Sequence, residues 1–314
     1  QLIREFGVSV PPEPELARAL HARTQGNPFF VREVLRLHGA GQNAFASVPD
    51  SVAQVIERRL SRIGASPLAL LRSAAVLGSE FTADLLSAAS GQPIEAVQAL
   101  LPGLLSSRLL ALDRSVDNYR FAHALVREVC YAQLPDAQRR ELHRNAANAL
   151  EQPERDAARP AEVAFHYQRA GTLEDLRRAL TSSVLAADAA RRVGALEDTI
   201  NHLERALELT ARVDSADEHR RCELLLELGS AQMARGLVVA AQKTHVRAAQ
   251  LAQARGDSVL LARAAFGFGV EFGAGGSNEQ EVELLEAALA ALPEADGALR
   301  ARVMSRLSRA LLFG

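Results

Sequence analysis

A five-residue pattern that returns twice constrains this chain more than any other feature. Leu203-Glu204-Arg205-Ala206-Leu207 aligns with Val246-Arg247-Ala248-Ala249-Gln250 and with Leu285-Glu286-Ala287-Ala288-Leu289, at separations of 43 and 39 residues. A unit of that length cannot bury its apolar face alone, so successive units must stack and share a core. Partner helices are expected near residues 178–193, 219–235, 258–270 and 298–312, with Val193-Gly194, Arg235-Gly236 and Arg255-Gly256 as turns. The result is a solenoid of helix pairs with a repeat near 40 residues. Alanine at the inner positions lets neighbouring helices approach closely. Stacked pairs leave a concave groove, the surface on which solenoids bind peptides and proteins. Phe266-Gly267-Phe268-Gly269-Val270-Glu271-Phe272-Gly273 carries three aromatics separated by glycines. Helix-end packing is expected there, because the chain has few other aromatics to fill its cores.

Upstream the pattern is different. Tyr119 and Phe121 alternate with Arg120 and Ala122 as a short half-buried strand would. From Leu125 the period changes. Leu125, Val126, Val129 and Cys130 form one apolar helical stripe, and His123, Arg127 and Tyr131 form a second at intervals of four. His123 therefore falls in the first turn of a helix, where unpaired N–H groups and the positive dipole end favour an anion such as phosphate. The preceding segments read helix, helix, helix, hairpin, helix. They lie at residues 68–76, 82–89 and 94–105, with strands at 109–112 and 119–121 around a loop at 113–118. That order is a winged helix. Its third helix has no arginine or lysine to reach a base edge or a phosphate, and Arg108 comes only after it. DNA binding by this element is disfavoured and a packing role favoured.

Nearer the start, helices are expected at residues 13–22 and 29–37, separated by the turn Thr24-Gln25-Gly26-Asn27-Pro28. Val48-Pro49-Asp50-Ser51 begins another helix, with Asp50 or Ser51 as cap. Val52, Val55, Ile56 and Leu60 are its expected buried stripe, and Arg58, Arg59 and Arg62 its solvated face. After Tyr131 a helix over 136–151 turns Leu142, Ala146 and Leu150 inward, and residues 152–160 form a linker.

Charge and cysteine content exclude several roles. A net charge of −2 and a pI near 6.5 give no general reason for nucleic acid or anionic membrane as partner. Two well-separated cysteines do not make a disulfide framework, and no apolar run approaches the roughly 20 residues of a membrane span, so the chain reads as cytosolic. Its one lysine, Lys243, follows Gln242 rather than glycine, so the chain has no Walker loop and cannot be a self-sufficient P-loop ATPase. His143 and His166 sit on amphipathic helices, and His202 and His245 occupy near-equivalent repeat positions, which points to structure rather than metal. No nucleophile elbow and no paired carboxylates stand in a strand-loop setting, so no enzyme activity is expected of this chain. It begins without Met and stops directly after a helical pattern, as a fragment of a longer protein would.

Four motifs, in order, carry a resemblance. They are Gly26-Asn27-Pro28-Phe29-Phe30-Val31-Arg32-Glu33, Val48-Pro49-Asp50-Ser51-Val52 with Ile56-Glu57-Arg58-Arg59-Leu60, Ala74-Ala75-Val76-Leu77-Gly78-Ser79-Glu80-Phe81, and Tyr119-Arg120-Phe121-Ala122-His123-Ala124-Leu125-Val126-Arg127-Glu128. Over residues 13–150 the chain resembles the region following the ATPase core in signal-transduction ATPases with numerous domains, the STAND class, including large LuxR-type transcriptional regulators. The resemblance implies a helical lid at 1–64, a winged helix at 65–135, a connecting helix and linker at 136–160, and degenerate tetratricopeptide-like repeats at 161–314. The fold class is thus predominantly all-α.

The same resemblance implies that Pro28 lies against the adenine of bound ADP or ATP, and that His123 meets the β-phosphate of ADP in a closed resting state. Both contacts belong to the full-length protein, with the nucleotide supplied by an upstream ATPase domain of the same polypeptide. No cofactor is expected in this fragment alone. A protein or small-molecule inducer on the repeats would weaken closure and allow nucleotide exchange and homo-oligomer formation, with no direct nucleic-acid or membrane contact by this region. The alternative from another class is a protein-interaction scaffold with no nucleotide role.

Overall fold

The computed structural model describes residues 50–113, 118–152, 159–269, 279–294 and 297–312. Pro28, the helices expected at 13–22 and 29–37, and the end of the Phe266–Gly273 stretch lie outside those residues. Of the described residues, 79% are helical, in fourteen helices with one three-stranded sheet. The fold is predominantly all-α, as the periodicities imply. The chain divides into two units between Ala158 and Arg159.

The first unit begins with α1 (Asp50–Leu60), which buries Ile56 and Leu60 and packs Ala53 beside them. Val55 was expected in that stripe but is 47% exposed. Residues 53, 56 and 60 share one helical face, and position 55 points away from it. Next come α2 (Ala65–Leu77), β1 (Glu80–Phe81), α3 (Ala83–Ser90), α4 (Ile94–Ser106), β2 (Leu110–Asp113), β3 (Asn118–Phe121), α5 (Ala124–Ala132) and α6 (Asp136–Leu150). Thr82 caps α3, its hydroxyl accepting from the Leu85 N–H at 3.2 Å.

This is the winged-helix order with one strand more than the sequence reading placed. Strand β1 pairs antiparallel with β3, Glu80 opposite Arg120 and Phe81 opposite Tyr119, and β2 pairs with the other edge of β3. Two residues are too few for an alternation signal. The aromatic content of the pair reveals what holds it, since Phe81 stacks on Tyr119 at 6.3 Å and meets Phe121 edge-on at 6.1 Å. Beneath the sheet, Leu71, Leu86, Leu101, Leu104, Leu125 and Val126 form a continuous core.

Helix α6, expected as a connector, belongs to the body of this unit. It packs on α2 and α3, burying Leu142 and Ala146. From α5 the Tyr131 hydroxyl meets His143 Nε2 of α6 at 2.9 Å, and the Arg139 guanidinium lies 5.1 Å over the Tyr131 ring.

The second unit is a run of antiparallel helices, each packed on the next: α7 (Pro160–Ala170), α8 (Leu173–Arg192), α9 (Leu196–Val213), α10 (Glu218–Ala234), α11 (Val238–Ala254), α12 (Ser258–Phe268), α13 (Glu279–Ala291) and α14 (Gly297–Leu312). A reciprocal capping box between Thr172 and Asp175 starts α8. Gly194 and Gly236, at φ 74° and 83°, end α8 and α10 in the left-handed conformation that a Cβ disfavours. That conformation makes these glycines legible as repeat punctuation. Alanines 248, 249 and 252 face alanines 262, 264 and 265 across α11 and α12, and their small size allows the close approach.

One buried side chain of this unit, His245, is wedged between two glycines. It is 1% exposed, and neither ring nitrogen has a hydrogen-bond partner. Its ring lies between Gly229 of α10 and Gly267 of α12. A Cβ at 229 would fall 2.6 Å from Nε2, and one at 267 would overlap the ring still more closely. The glycine at 267 therefore makes room for a wedge from the neighbouring helix. Its flanking Phe268 is buried, and Phe266 carries Arg302 over its ring at 5.1 Å, the helix-end packing expected for this stretch. His202, one repeat earlier, is only half-buried.

Replacing Gly267 by alanine should cost about 2 kcal/mol, because overpacking of about 3 kcal/mol outweighs the roughly 1 kcal/mol that alanine gains in a helix. In a His245→Ala background the same change should become neutral or stabilising. Urea unfolding of the four proteins measures this, and an equal loss in both backgrounds would refute the wedge.

Both cysteines are fully buried and free. The Cys222 Sγ donates to the Ala248 carbonyl at 3.3 Å. Burial pushes the Cys130 thiol up to about 12 and the Cys222 thiol up to about 11. Among the described residues no helix is long and apolar enough to cross a membrane.

Candidate functional site

The sheet and two helix ends of the first unit converge on His123. The Ala122 N–H donates to the Leu109 carbonyl at 3.0 Å, and the Phe121 N–H to the Ser79 carbonyl at 3.2 Å, so the chain enters α5 held on both sides. His123 is the N-cap residue of α5, with extended backbone at φ −145° and ψ 134°. Its carbonyl accepts from the Val126 N–H at 3.0 Å. Its side chain does not cap the helix, which leaves the first N–H groups of α5 without the usual serine, threonine or aspartate oxygen.

Burial and one arginine set the electrostatics of this corner. Burial, and then the Arg59 guanidinium of α1, hold the His123 imidazole below its ordinary pKa of 6.5. A neutral ring has one N–H to donate. Nδ1 is shielded from solvent, and the residue is half-buried. Arg59 itself donates to the Ser107 carbonyl at the end of α4. Helical periodicity places Arg59 on a solvated face with Arg58 and Arg62. The latter two are exposed, but Arg59 is half-buried and ties α1 to α4. It directly precedes Leu60 at the end of the α1 stripe, a place that periodicity alone does not separate from its neighbours.

Arg108 completes the corner. It is the one non-glycine among the described residues with positive φ, at 54°, and it is exposed. The hydrogen bond from Ala122 to Leu109 sets the Arg108 backbone opposite that of His123 across the sheet edge. A left-handed arginine costs about 1 kcal/mol or more, and such outliers gather where function imposes them.

The second stripe of α5 is committed to packing. Arg127 Nε donates to the Ala75 carbonyl at 3.1 Å and Tyr131 joins His143, so of that stripe His123 alone stands at the helix start. The exposed faces of α4 carry no basic side chain, and nothing in its geometry resembles a reader of base edges. The other sequence-derived site residue, Pro28, lies outside the described residues. No protein-family model matches the chain, and no curated protein matches it.

Proposed function

We propose that this chain is the regulatory and sensor portion of a nucleotide-switched signalling protein of the cytoplasm, with no catalytic centre of its own. In this reading the winged helix closes over ADP held by an upstream nucleotide-binding domain, and the helical repeats take an inducer or partner protein. The supporting observation is the corner at the start of α5. A neutral imidazole, backbone N–H groups without a side-chain cap and the Arg59 guanidinium meet there, with the Arg108 backbone opposite across the sheet edge, and that set is complementary to a phosphate. Neutral His123 donates one hydrogen bond to a phosphate oxygen, Arg59 and Arg108 balance the charge, and Pro28 lies on the base. A ligand that favours the open arrangement of the repeats then shifts the population away from the closed, ADP-bound state.

His123→Ala in the polypeptide that includes the nucleotide-binding domain should release ADP about tenfold faster, the value of one hydrogen bond to a charged group. A fluorescent ADP analogue displaced by excess ADP measures the rate. A circular dichroism melt of the variant checks that the winged helix stays folded. Unchanged ADP release would leave the repeats as a scaffold and remove the nucleotide role.

A further inference from the structure

Helix α10 packs directly on α12, and α12 on α14. Between α8 and α10, however, a cleft of about 280 Å³ opens over α9. Its floor is apolar, formed by Leu196, Leu203 and Leu226. On the α8 wall the charges satisfy each other, Arg191 donating to Asp188 at 2.6 Å. The hydroxyls are turned into their own helices. Thr199 donates to the Ala195 carbonyl at 2.9 Å, and Ser230 to the Leu226 carbonyl at 2.8 Å.

The opposite wall is different. Glu227 of α10 and Arg263 of α12 both line the cleft, and neither is ion-paired to another described residue. A concave apolar floor beside one open carboxylate and one open guanidinium is complementary to a molecule with an aliphatic body, one cation and one anion. The two groups stand on different helices and farther apart than an ion pair. A molecule that carries its ammonium and its carboxylate at opposite ends of a short aliphatic body can reach both. The volume lies at the small end of ligand sites, which fits a short molecule rather than a folded partner.

We propose that this cleft binds a small zwitterion with an aliphatic body, of the class of a free dipeptide of apolar residues, its ammonium on Glu227 and its carboxylate on Arg263. The proposal rests on the sensor reading of the repeats, for which it names the class of inducer. It is independent of the nucleotide contact at His123.

Leucyl-leucine is the probe, titrated calorimetrically into the full chain. Saturable binding in the millimolar range or tighter is expected. N-acetylation and C-amidation of the probe should each weaken binding about tenfold, as the loss of one charge-assisted hydrogen bond does. Glu227→Gln should abolish the penalty of acetylation, and Arg263→Gln that of amidation. Both side chains reach solvent, so unchanged circular dichroism melts are expected and confirm folding. Absence of saturable binding, or binding that the two variants leave unchanged, overturns the proposal. Neither result bears on ADP release by the His123→Ala protein, so the two readings fail separately.

Discussion

Arg306→Ala is expected to destabilise the second unit by about 3 kcal/mol. Arg306 Nε donates to Glu281 Oε1 at 2.8 Å, and the two side chains are 11% and 15% exposed, joining α14 to α13. Above them the backbone of Gly269 lies so close that a Cβ would strike both groups. An ion pair this enclosed gains little net free energy over water, because desolvation offsets attraction. Truncating one partner is costly for a different reason. It leaves the other carrying its desolvation penalty alone. The Arg306→Met, Glu281→Met double replacement should therefore cost less than about 1 kcal/mol, although the single replacement costs about three times as much. Urea unfolding followed by circular dichroism separates the two. Equal losses would mean that the pair acts only through packing.

Acid should weaken the same unit by a comparable amount. Burial alone lowers the His245 pKa from 6.5 to about 4 in the folded chain. Between those values the unfolded chain binds more protons than the folded one, so stability rises with pH across the window. The contribution is complete above pH 6.5 and lost as pH falls to about 4. At about 1.4 kcal/mol per pH unit, that interval is worth roughly 3 kcal/mol. Carboxylates titrate there too, so the diagnostic quantity is a difference between proteins. His245→Leu, which keeps the volume and removes the proton site, should lose about 3 kcal/mol less than the parent on going from pH 7 to pH 4. Parallel pH profiles for the two proteins would show that the ring is hydrated in solution.

The repeats were legible because their signal is redundant. Turn glycines such as Gly194 and Gly236, alanine faces and a recurring five-residue pattern all point to the same helix pairs. The winged helix was legible for a similar reason, since the change from period two at Phe121 to the helical stripe at Leu125 marks the junction where His123 caps α5. Short or three-dimensional features were not. Strand β1 is two residues long, and its evidence is the stacking of Phe81 on Tyr119, a contact far apart in sequence. Val55 and Arg59 differ from their neighbours only by the angle at which α1 meets the core. Gly229 and Gly267 read as weak helix formers until His245 is seen between them. The cleft draws its lining from four helices, so no window of sequence contains it.

The buried thiols have a practical consequence. With Cys130 and Cys222 both fully enclosed and held protonated at neutral pH, a maleimide dye has no native target on the folded protein. A cysteine introduced on the rim of the cleft, or beside Arg108, would be labelled selectively without first removing either native one. Fluorescence from the two positions would then test the proposed ligand of the cleft and the proposed nucleotide contact as separate signals on an otherwise unaltered chain.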